Sequence, residues 1–102
     1  VTRVETVRYR KRTSMAQVEI YSKNYCPYCE QAKSLLKDKG VRFKEYDITE
    51  DEKLQKEMMK RSEGRLMTVP QIYINGALIG GYSDLQALDD SGELDKLLKR
   101  KN

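Results

Sequence analysis

Tyr25-Cys26-Pro27-Tyr28-Cys29 joins two unlike patterns. Before it, Val18-Glu19-Ile20-Tyr21-Ser22 alternates as a strand does, with Val18 and Ile20 on one face. After it, apolar residues recur at helical spacing from Pro27 to Lys39. Cys26 therefore stands where a helix begins, beside N–H groups that have no partner within the helix. Pro27 suits the first helical position, which needs no N–H and favours its fixed φ. A thiolate at Cys26 would face those donors and the positive end of the helix dipole, a stabilisation of up to ~2 kcal/mol. Cys29 lies one turn further in, toward the core. The spacing gives the two sulfurs unequal access, so Cys26 is expected to attack and Cys29 to resolve.

These are the only two cysteines in 102 residues, and the chain has no histidine. Structural zinc takes four ligands, which one Cys pair does not supply. A disulfide across three residues closes too small a loop to staple a fold. Two unrelated core cysteines give no reason for a proline between them at a helix start. Redox chemistry takes most of the weight, and a C-x-x-C pair with no visible export signal points to a reducing, cytoplasmic setting. The length suits one domain with one core. No run is long and apolar enough to span a membrane.

The formal charge of +4 is unevenly placed. Residues 1–14 hold Arg3, Arg8, Arg10, Lys11 and Arg12 against Glu5, leaving 15 basic and 15 acidic side chains elsewhere. The basicity belongs to an N-terminal stretch, so nucleic-acid binding by the domain is not expected. Residues 1–14 read as an extension outside the core, of upstream origin or a targeting leader, and 15–102 as the folded domain.

Further along, Val41–Asp47 reads as a second strand. Thr49 and Glu52 suggest a capping box opening a helix to about Arg61, with Leu54, Met58 and Met59 inward. After a loop over 62–67, Thr68-Val69-Pro70 precedes a strand at Gln71–Ile74. Asn75-Gly76 signals a hairpin into a strand over 77–79. Gly80-Gly81 breaks that strand, Ser83 is placed to cap a helix over 84–88, and Leu94, Leu97 and Leu98 mark a last helix. This order fits an α/β fold: a four-stranded mixed sheet, its first two strands parallel, with helices on both faces.

Three separated motifs, Cys26-Pro27-Tyr28-Cys29, Thr68-Val69-Pro70 and Gly80-Gly81-Tyr82-Ser83-Asp84, resemble those of a dithiol glutaredoxin of the thioredoxin fold. The resemblance covers roughly residues 18–98. It implies a disulfide oxidoreductase acting on protein disulfides and glutathionylated proteins, with glutathione as co-substrate and no tightly bound cofactor or metal. It also implies a cis Val69-Pro70 bond that sets the Val69 main chain beside Cys26, where it pairs with the tripeptide like an added strand. Thr68, Val69 and Pro70 thus join the expected glutathione site. By the same resemblance Gly81, Tyr82 and Ser83 hold the γ-glutamyl carboxylate at a helix start, and Asp84 holds the ammonium. Lys23 meets the glycyl carboxylate, Tyr28 packs beside the tripeptide, and Arg65 is placed as a second cation. A monomer is expected. Two other readings stay open: a redoxin fed by thioredoxin reductase, and an iron–sulfur scaffold in which two subunits share a cluster through Cys26 and glutathione. Lys23, Val69 and Tyr82–Asp84 argue against the first, and the stiffening Pro27 against the second.

Overall fold

The first strand, β1 (Val18–Ser22), is central, and its alternation sets both faces of the sheet. The structure, a computed structural model, describes residues 16–64 and 68–99. The expected extension over 1–14 and the proposed cation Arg65 lie outside the described residues. Around β1 follow α1 (Pro27–Asp38), β2 (Lys44–Asp47), α2 (Glu52–Arg61), β3 (Gln71–Ile74), β4 (Ala77–Gly80), α3 (Tyr82–Ser91) and α4 (Glu93–Leu98). The strand order is β2-β1-β3-β4, with β1 and β2 parallel and the other pairs antiparallel. The expected mixed four-stranded sheet is therefore present.

Val18 and Ile20 of β1 and Ile72 and Ile74 of β3 point to one face. There they meet Ala32 and Leu36 of α1, Leu85 of α3, and Leu94 and Leu98 of α4 in the larger core. Tyr21 and Tyr73 point to the other face and pack with Ile48 and Met58 of α2. Helices thus cover both faces. Fully burying one such side chain stabilises by roughly 1.5–3 kcal/mol, so this alternation secures the register of β1 against β3. On the α2 face Arg61 stands 4.1 Å over the Tyr73 ring, pairs with Glu19, and donates to the Tyr21 hydroxyl at 3.2 Å. That ties α2 to two strands at once.

Several local expectations shift. β2 starts at Lys44 rather than Val41, because the Val41 N–H closes the end of α1 on the Leu36 carbonyl at 3.1 Å, and Val41 turns into the core. The cap of α2 is Asp51, which accepts the Leu54 N–H at 3.0 Å. Thr49 is engaged elsewhere: its hydroxyl donates to Asp47 at 2.6 Å and accepts the Asn24 N–H at 2.8 Å. Met59 is turned outward, 40% exposed. The third helix is longer than expected, and its cap is Gly81 rather than Ser83. Asn75 and Gly76, at φ 53° and 84°, make the expected tight hairpin turn.

Candidate active site

Cys26 caps α1 in extended conformation, with Pro27 at the first helical position, as the sequence implies. Its Sγ accepts the Cys29 N–H at 3.3 Å, so an otherwise unpaired helix-start donor points at the sulfur. Cys26 is half-buried, whereas Cys29 is 0% exposed; both are free thiols. Burial, then the contact with Cys26, pushes the Cys29 thiol from 9.0 up to about 12. Two influences act in the opposite sense. The Lys23 main chain hydrogen-bonds to the Cys29 sulfur, and the Lys33 ammonium lies close enough to favour a thiolate.

Lys33 is a residue that motif reading passed over, although it stands one helical turn after Cys29. It is mostly buried, 2.9 Å from Glu45 and 3.1 Å from Glu30. Glu45 also accepts the Ser22 hydroxyl at 2.6 Å, and this bond, helped by Lys33, holds its carboxyl below the ordinary range.

Beside the cysteines runs a groove of about 290 Å³, lined by Tyr28, Thr68, Val69, Pro70, Gly81, Tyr82 and Ser83. Residues from three separate parts of the chain thus meet on one wall. The Val69-Pro70 bond is cis, as the resemblance implied. Tyr28 is 62% exposed, and its ring stacks on Tyr82 with centroids 6.4 Å apart. Lys23 and Asp84 do not line the groove: Lys23 is exposed, and the Asp84 carboxylate turns back to accept the Gly81 N–H at 3.0 Å. A larger hollow of about 430 Å³ lies by Phe43 and Lys44, among residues that carry no sulfur.

Gly80 makes the Asp84 contact possible. Its φ of 123° is open to glycine alone, and a Cβ there would collide with the Asp84 carboxylate. A bulge aims this turn: Ile72 pairs with Gly80 and Tyr73 with Leu78, leaving Ile79 as the extra residue. The sequence signal was the Gly-Gly pair, legible as a strand break but not as a place where a carboxylate must fit.

The glutaredoxin family profile matches residues 18–79. The chain is 56% identical over 85 residues to glutaredoxin 3 of Escherichia coli strain K12, covering 83% of this chain and all of that one. The chain belongs to the glutaredoxin family. Its activity is accordingly that of a glutathione-dependent thiol–disulfide oxidoreductase. Among solved structures, the glutaredoxin of Brucella melitensis is 50% identical, with a TM-score of 0.71 over 84% of this chain and 91% of that one. A buckwheat glutaredoxin–glutathione complex, 22% identical, matches the fold with a TM-score of 0.72 over 94% of this chain and 88% of that one. The four-stranded thioredoxin fold is common to them. Within this glutaredoxin fold, the C-x-x-C pair opens α1 beside the groove.

Proposed function

We propose that Cys26 is the nucleophile and Cys29 the resolving thiol of a dithiol cycle run on glutathione. The single observation that carries this reading is the unequal setting of the two sulfurs. One caps a helix at the surface; the other is buried and held as a thiol.

With a glutathionylated protein, the Cys26 thiolate attacks the glutathionyl sulfur. A Cys26–glutathione disulfide forms as the protein–glutathione bond breaks, and the protein leaves as a thiolate that takes a proton from water. A glutathione thiolate then attacks the glutathionyl sulfur of that adduct, giving glutathione disulfide and free Cys26. With a protein disulfide, Cys26 becomes bonded to the substrate itself. Cys29 then attacks the Cys26 sulfur at high effective concentration, its proton passing to the departing substrate thiolate. The resulting Cys26–Cys29 disulfide is reduced by two glutathiones, which leave as glutathione disulfide.

The groove supports a tripeptide lying against the Val69 main chain, with Thr68, Pro70 and Tyr28 flanking it. Gly81, Tyr82 and Ser83 open α3, whose first N–H groups suit the γ-glutamyl carboxylate. Asp84 sits one turn in; its Oδ2 accepts the Gly81 N–H, and its second carboxylate oxygen is assigned to the ammonium. Lys23, exposed ahead of Cys26, is assigned to the glycyl carboxylate, and Arg65 to the second cation. Glutathione serves as co-substrate rather than a resident cofactor. The setting is cytoplasmic, the working unit is a monomer, and nucleic acid and membranes are not partners. Among the described residues no helix is long and apolar enough to cross a membrane.

A coupled assay with glutathione tests this. Cys26→Ser is expected to abolish turnover of both substrate kinds. Cys29→Ser is expected to keep deglutathionylation and to lose most protein-disulfide reduction. Collapse of both activities in Cys29→Ser would overturn the division of labour.

A further inference from the structure

Tyr25 immediately precedes the nucleophile, and its side chain is 101% exposed, with no hydrogen bond or ring contact to the described residues. Its φ is 55°, in the left-handed region that a bulky residue rarely adopts. Two other non-glycine residues among those described share this sign, and both have local reasons. Asn75 sits in the hairpin turn, and Glu63 lies at the exit of α2 just before Gly64.

The backbone at Tyr25 is fixed from both sides. The Asn24 N–H is held by the Thr49 hydroxyl at 2.8 Å, and Cys26 is fixed as the cap of α1. Glycine would meet that conformation without steric cost. An aromatic ring there adds nothing to the core, so its contribution lies outside the fold. Nor does it line the glutathione groove, which takes Tyr28 from the other side of Cys26. The two exposed tyrosines therefore flank the reactive sulfur, one facing the groove and one outside it.

We propose that Tyr25 is a specificity-determining residue for protein substrates. Its ring rests on the apolar side chains and main chain flanking the glutathionylated cysteine of a protein, which extend beyond a groove sized for the tripeptide. This rests on the function proposed above. It predicts that Tyr25 matters for large substrates and not for small ones, since a free glutathione mixed disulfide leaves the ring uncovered.

The test compares wild type, Tyr25→Gly and Tyr25→Phe on two substrates with glutathione as reductant: the mixed disulfide of cysteine with glutathione, and serum albumin glutathionylated at its free cysteine. Tyr25→Gly should raise KM for the albumin about fivefold, the size expected of one aromatic contact. Its turnover of the small disulfide should equal wild type. Tyr25→Phe should restore the albumin KM. The Tm of Tyr25→Gly should equal or exceed that of wild type, which separates a lost contact from a damaged fold. Unchanged albumin kinetics in Tyr25→Gly would overturn the inference, and so would an equal loss on both substrates. If wild type itself failed to turn over the small disulfide, the glutathione cycle would fall first and Tyr25 with it.

Discussion

Replacing Cys26 with serine leaves Cys29 as a single thiol whose ionisation burial controls. In the intact site that thiol is raised from 9.0 to about 12, with desolvation the first cause and the Cys26 contact the second. Each step of one in pKa is tenfold in thiolate fraction, so at neutral pH Cys29 holds roughly a thousandfold less thiolate than an ordinary cysteine. The thiolate is the reacting species, and the side chain is 0% exposed. Alkylation of Cys26→Ser by iodoacetamide should therefore be at least about a hundredfold slower than that of a free thiol, allowing for relief of the Cys26 contact. Its rate should climb tenfold per pH step through pH 9 with no plateau, whereas Cys29→Ser, retaining Cys26, should label readily at pH 7. Stability should follow the same ionisation. A cysteine with a raised folded pKa stabilises fully below its unfolded value, and that stabilisation is lost as pH climbs through the folded value. Reduced wild type should thus weaken as pH climbs from about 9 toward 12. Rapid labelling of Cys29 at pH 7, or a plateau below pH 9, would refute the assignment of burial as the controlling influence.

Gly80→Ala should cost roughly 1–3 kcal/mol in urea unfolding and raise KM for glutathione, because the new Cβ displaces Asp84 from the start of α3; unchanged stability would mean that the turn relaxes freely. Arg61→Met should cost about 2 kcal/mol by releasing Glu19 and the Tyr21 hydroxyl. The hydrogen bond to Arg61 is the chief reason that Glu19 titrates below 4.5, so this stabilisation is present above that value and lost as pH falls through the lowered one. Wild type should therefore lose stability more steeply than Arg61→Met on acid titration followed by circular dichroism. Removing residues 1–14 should leave glutathione-dependent turnover nearly unchanged, and a fall of more than about tenfold (~1.4 kcal/mol) would place that stretch in the mechanism.

The sequence by itself determined the features that are local in the chain. A strand, two cysteines three apart, and a proline at a helix start were enough to place Cys26 as the cap and to give the two sulfurs unequal access. Asn75-Gly76 determined the hairpin, because both positions need positive φ and few residue pairs tolerate it. Alternation along β1 announced two buried faces. The tertiary structure decided whatever depends on competition between distant groups. Thr49 could not cap α2 because Asp47 and Asn24 had already taken its hydroxyl, a contest between β2 and the active-site loop. Val41 left the sheet because its N–H was needed by Leu36. Lys33 met its Glu45 partner only when β2 was laid against α1, although its place one turn after Cys29 is local to the helix. Gly80 acquired its purpose only once Asp84 folded back to the same point. Each backbone donor and polar side chain has few bonds to give, and which partner it meets is settled by where folding brings the rest of the chain.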